Sequence, residues 1–144
     1  MPVHENNTIR ISYGESPAHV GALKNSIDFI ASEGTPVLAA ADGIVIDVKD
    51  DSEIGGTEKK FEKYGNFVEI LHEHGECSEY EHLRKNVIVK IGDKVKKRQV
   101  IAYSGATGWL AHLGPHLHFM VGIYGKTDKD YKTLEIVFEH KTGV

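Results

Sequence analysis

Apolar residues in this chain fall in short runs separated by turn residues, and no stretch keeps the 3.6-residue period of an amphipathic helix. The strands predicted are Ile27–Ile30, Pro36–Ala39, Gly43–Val48, Asn66–Leu71, Ser78–His82, Val100–Ser104, His116–Tyr124 and Leu134–Glu139. Gly34-Thr35, Asp42-Gly43, His74-Gly75, Gly92-Asp93 and Gly105-Ala106 punctuate them. The charged, glycine-containing stretch Lys49–Lys63 reads as an exposed loop, with a helical turn over Glu58–Glu62 as the alternative. No proline- or serine-rich linker interrupts the 144 residues, a length that suits one domain with a sizeable core. The expectation is a single all-β, antiparallel domain over residues 1–144.

Two segments, EGTPVLAAADGIVIDV and IGDKVKKRQVIAYSG, share a hairpin pattern seen in barrel-sandwich folds, including biotinyl and lipoyl carriers. A carrier needs a modifiable lysine at a hairpin tip between apolar flanks, and none stands out.

Composition removes several function classes. The net charge is -4, so no nucleic-acid surface is indicated, and the lysines at 94, 96 and 97 read as a solvated turn. No apolar run approaches the length of a membrane span. Met1-Pro2-Val3-His4-Glu5-Asn6 lacks the basic start and apolar stretch of a secretory leader, so these residues do not indicate a compartment. Cys77 is the one cysteine, which rules out an intrachain disulfide and a cysteine-built zinc site. Nine histidines are the compositional oddity and the natural ligands of any metal.

The chemistry concentrates in Gly114-Pro115-His116-Leu117-His118-Phe119. Residues i and i+2 of a strand share a face roughly 6–7 Å apart, so His116 and His118 can serve one metal site, one as ligand and one beside it. Two more polar residues sit in apolar strands. Asp28 lies within Ser26-Ile27-Asp28-Phe29-Ile30, where a carboxylate is costly to bury alone, and His82 follows Tyr80 on the same predicted face. Singly, Asp28 fits a turn cap and His82 a satisfied core histidine. Together with His116 and His118 they compose a hydrolytic metal site with an open position.

The stretches SIDFIASEGTPVLAAADGIV, YGNFVEILHEHG, SEYEHL, IGDKVKKRQVIAYSGATG and GPHLHF, in that order over roughly residues 19–121, resemble the lysostaphin-type (LytM-like) zinc metalloendopeptidases. Those enzymes cut peptide cross-links of bacterial peptidoglycan. The resemblance implies that fold, one zinc ion per chain, a peptidoglycan peptide as substrate, and a location in the cell envelope or outside the cell. It makes Asp28 and His118 metal ligands and places His82 and His116 beside the attacking water as proton-handling residues. It also puts Tyr80 near His82 and has Gly114 and Pro115 shape the approach to the His-x-His strand.

One departure matters. The family pattern His-x-Gly-x-Asp places a ligand four positions before the aspartate, where this chain has Lys24. An ammonium has no lone pair, and removing its proton at neutral pH is expensive. His19-Val20-Gly21 keeps the His-x-Gly start nine positions before Asp28, which makes His19 the expected first ligand. The loop "WLAHL" between Gly108 and Gly114 adds Trp109 and His112. Trp109 fits either a groove wall or a hairpin contact, and with Tyr80 it is the expected substrate-side residue. Arg98 stands where a glycine is common and bears on a turn. A neutral histidine must accept a proton in such a mechanism, so activity is expected to fall in mild acid. The competing reading is a catalytically inactive binding or regulatory module of the same fold with an incomplete metal site.

Overall fold

The structure, a computed structural model, describes residues 1–7, 10–13, 25–110, 114–124 and 132–136. Its strands are β1 (Arg10–Tyr13), β2 (Ile27–Ile30), β3 (Pro36–Leu38), β4 (Gly43–Lys49), β5 (Gly55–Gly56), β6 (Phe67–Leu71), β7 (Glu76–Glu81), β8 (Lys94–Val95), β9 (Val100–Tyr103), β10 (Gly108–Trp109), β11 (His116–Ile123) and β12 (Lys132–Thr133). An eight-stranded sheet runs β1-β2-β11-β7-β6-β4-β8, with β12 on the edge of β11, and every pair in it is antiparallel. A second antiparallel pair, β3 and β9, supplies Val37, Ile101 and Ala102 to the same core. The short β5 and β10 pair in parallel.

Alternation builds the core. Ile27 and Phe29 of β2, Leu117 and Phe119 of β11, Tyr80 of β7 and Val68 and Ile70 of β6 project to one face of the large sheet and are buried there. Phe119 meets Phe29 edge-on at 6.2 Å and Tyr80 at 5.3 Å between ring centroids. The opposite face carries the intervening residues, and Asp28, His116, His118 and Glu81 lie on it. The core thereby clamps the strands whose other side presents the polar groups.

The strand from Leu134 to Glu139 is not formed as expected. The edge strand is Lys132–Thr133, and Leu134–Ile136 lie outside any strand after the Leu134 N–H donates to the Val121 carbonyl at 2.7 Å. Residues 137–139 are outside the described set. The charged 49–63 stretch carries β5 and a 3-10 helix over Lys59–Tyr64.

Candidate active site

Strand register sets the centre of the site. His118 pairs with Asp28 of β2 on one side and with Glu81 of β7 on the other. Cross-strand partners share a face, so this imidazole is flanked by two carboxylates. His118 Nδ1 lies 3.1 Å from Asp28 Oδ1 and its Nε2 lies 3.5 Å from Glu81 Oε2. His116 Nε2 is 3.6 Å from the same Asp28 oxygen. The His82 ring stands edge-on to both, with centroids 4.6 Å from His116 and 5.9 Å from His118. Asp28, His82, His116 and His118, four of the residues singled out in the sequence, are therefore one cluster, and all four are buried.

His82 reaches this cluster by breaking strand alternation. It follows the last residue of β7, and its φ of 65° lies in the left-handed region, which costs a non-glycine residue about 1–3 kcal/mol. The turn carries the ring to the Glu81 side of the sheet. Tyr80, expected beside His82, keeps the strand direction and is wholly buried in the core. Its hydroxyl accepts the Ala40 N–H at 2.9 Å and lies 2.8 Å from Ser78 Oγ, and burial pushes its pKa to about 12. Tyr80 thus supports the sheet and has no surface to offer a substrate.

Backbone carbonyls orient two of the imidazoles. His82 Nδ1 is 2.7 Å from the Thr107 carbonyl and His116 Nδ1 is 2.8 Å from the Gly114 carbonyl. A carbonyl only accepts, so each Nδ1 carries the proton and each Nε2 keeps its lone pair. His116 Nε2 thus faces the Asp28 carboxylate at 3.6 Å, where it can take up a proton beside a cation held by Asp28 and His118. The donor set of buried imidazoles and a buried carboxylate fits a divalent transition metal. Glu81, His82 and His118 also offer donor atoms within 4.8 Å of one another.

A polar network absent from the sequence reading holds His82 in place. Asn66, fully buried just before β6, accepts the Ser52 N–H through Oδ1 and donates through Nδ2 to the carbonyls of Ser52 and Leu83. Its own N–H donates to Thr107 Oγ1, which in turn donates to the Leu83 carbonyl. The Thr107 carbonyl then fixes His82. Gly108, next in the chain, has φ of 85°, and a Cβ there would stand 2.7 Å from Gly65 Cα and 3.3 Å from His82 Nδ1. Asn66→Ala is expected to leave several buried groups without partners and to cost about 3 kcal/mol, measured as a lowered denaturation midpoint. A midpoint equal to wild type would show that the network carries no stability.

Electrostatics separate the imidazoles. Burial, and then the neighbouring His116 and His118, push His82 down to about 3. Burial therefore disfavours the charged form of His82. For His118, burial opposes the charge, but Glu81 and Asp28 outweigh it and the pKa is raised. Glu79, next to Glu81 on the same strand face, has its pKa raised by burial and then by Glu81, Glu69 and Asp47, which favours its neutral form.

A groove of about 680 Å³ opens at His82 and Glu81. Trp109, Phe67 and the 3-10 turn carrying Lys59, Lys60 and Lys63 wall it. Trp109 donates its indole N–H to the Thr57 carbonyl at 3.2 Å, and Lys59 Nζ lies 6.0 Å from its ring centroid. His19, His112 and Lys24 lie outside the described residues.

The chain is similar to several proteins of one kind. It is 33% identical over 124 residues to the peptidoglycan DD-endopeptidase ShyC of Vibrio cholerae, a span of 85% of this chain and 24% of that protein. It is 34% identical over 117 residues to the glycyl-glycine endopeptidase ALE-1 of Staphylococcus capitis, covering 78% and 29%. The crystal structure of a zinc-containing peptidase from Vibrio cholerae superimposes with a TM-score of 0.66 at 30% identity, covering 95% of this chain and 39% of that one. The chain spans about a quarter of the length of such curated relatives. Their fold, open antiparallel sheets with almost no helix, is the fold found here. The family model for peptidase family M23 matches residues 22–130, a stretch containing Asp28, His82, His116 and His118, and the chain belongs to that metallopeptidase family.

Proposed function

We propose that this chain is the catalytic domain of a zinc-dependent endopeptidase that hydrolyses peptide cross-links of bacterial peptidoglycan in the cell envelope or outside the cell. The observation that carries the reading is the convergence of Asp28, His82, His116 and His118 beside an open groove. Asp28 and His118 would hold the metal, with His19 as the third ligand in place of the residue that Lys24 displaces. Bound zinc supplies Lewis-acid polarisation of the scissile carbonyl and a water that is nucleophilic near neutral pH.

The chain's own groups do the rest. His82 and His116 each present an Nε2 lone pair while their Nδ1–H groups are tied to carbonyls, so neither ring can rotate away. These imidazoles take the proton of the attacking water and return it to the leaving amine, so the proton count closes over the cycle. Trp109 and Phe67 offer apolar surface for the peptide flanking the scissile bond.

The test is to incubate the zinc-loaded chain with purified peptidoglycan and identify the released fragments by mass spectrometry. New free amino and carboxyl termini in the cross-link peptides are expected, and chelation followed by zinc return should abolish and restore them. A folded, zinc-loaded chain that releases nothing, yet sediments with peptidoglycan, would overturn this reading in favour of a binding module.

A further inference from the structure

Glu81 has no role in the mechanism above, yet it faces the buried His118 directly. The register pairs the two residues across β7 and β11, and Glu81 Oε2 stands 3.5 Å from His118 Nε2. The other ring nitrogen, Nδ1, lies 3.1 Å from Asp28 Oδ1. One imidazole thus joins two carboxylates of unlike surroundings. The Asp28 side chain is 2% exposed and that of Glu81 is 30% exposed.

That difference favours placing the metal on the Asp28 side of the ring. A carboxylate as buried as Asp28 stays ionised only with a cation beside it, whereas Glu81 retains contact with water. A neutral imidazole has one lone pair and one N–H. If Nδ1 gives its lone pair on the Asp28 side, Nε2 carries the proton and points at Glu81.

We infer that Glu81 is a positioning residue: when a metal takes the place of the Nδ1–Asp28 hydrogen bond, the carboxylate 3.5 Å from Nε2 closes on it, accepts the Nε2–H of His118 and holds the tautomer whose Nδ1 lone pair faces the metal. Metal-ligating histidines generally give their second N–H to such a partner, which fixes the ring and raises its basicity. Nothing in the sequence marks this role. The residue between Tyr80 and His82 acquires it from the pairing of β7 with β11.

The inference rests on the metal-centre reading of this site, so its test reads metal binding and not turnover. Zinc affinity would be measured by competition with a chromogenic chelator for the wild type, Glu81→Ala and Glu81→Gln. Glu81→Ala is expected to bind about 10–100-fold more weakly. Glu81→Gln is expected to recover most of the loss, because its amide oxygen still accepts the N–H. In the zinc-loaded wild type, 15N-edited spectra of the histidine rings should show His118 protonated at Nε2. Glu81→Ala affinity equal to wild type would overturn the inference, as would a His118 protonated at Nδ1. The latter result, with Glu81→Gln as impaired as Glu81→Ala, would make Glu81 a ligand together with His82. A wild type that binds no zinc would overturn the metal-centre reading as well, which keeps the two failures distinct. Should Glu81→Ala not fold, the tautomer of the wild type still decides.

Discussion

His82→Ala is expected to keep the metal content of the wild type and to lose about 10²–10⁴-fold in kcat, the usual contribution of a positioned acid–base group. The expectation follows from the built-in orientation of this ring. The Thr107 carbonyl takes the Nδ1–H at 2.7 Å, and the Asn66 network fixes Thr107 in turn. The Nε2 lone pair therefore stays turned to the site, and among the described residues no carboxylate forms an ion pair with it. Alanine at 82 removes the proton acceptor and leaves Asp28 and His118 in contact. His116→Ala should behave alike, since its ring is anchored in the same way by Gly114. Metal content measured by mass spectrometry beside kcat separates the possibilities. A His82→Ala protein that loses its metal would move His82 into the ligand set, where its neighbours Glu81 and His118 would join it.

Asp28→Ala is expected to weaken zinc binding by more than the roughly 100-fold that marks the loss of an outer partner, and to remove activity at ordinary metal concentrations. Asp28 contributes the carboxylate shared by His116 and His118, and it is the most deeply buried charge of the cluster. Without it the cation has no nearby anion on the β2 side, and His118 loses the carboxylate that stands 3.1 Å from its Nδ1. Asp28→Asn preserves the shape and one acceptor oxygen but removes the charge, so it should fall nearly as far in affinity while losing less stability. Chelator competition reads the first quantity and thermal denaturation of the metal-free proteins the second. Substantial activity in Asp28→Ala would place the metal elsewhere.

Much of the sheet is legible in the sequence where a strand alternates or carries a continuous apolar run. Strand β2 has the predicted bounds, and β11 begins at His116 and ends one residue before the expected Tyr124. Strands such as β5, β8 and β10, two residues each, were not legible, because they are defined by the hydrogen bonds of their partners and carry no pattern of their own. The edge strand at Lys132–Thr133 was displaced by two residues for a similar reason. Leu134 and Ile136 look like strand residues, but the pairing to β11 ends before them.

The site divides along the same line. Asp28, His116 and His118 were legible because a polar residue inside an apolar strand is expensive unless something compensates it. The placement of Tyr80 beside His82 was not correct, because strand alternation was carried through a residue whose left-handed backbone ends it. Asn66 and Thr107 gave no signal. Each lies in irregular backbone just before a strand, Asn66 before β6 and Thr107 before β10, and their partners are 14 to 41 residues away along the chain.

By itself, the sequence determined the all-β class, the strands that carry the chemistry and the residue types available to a metal. These follow from local periodicity and from the cost of burying charge. Tertiary structure alone decided that His118 stands between Asp28 and Glu81, that His82 turns to meet it, and that the 59–64 turn and Trp109 wall a groove beside them. Those relations depend on strand register, on one left-handed residue and on packing between segments distant in sequence, none of which a local pattern encodes.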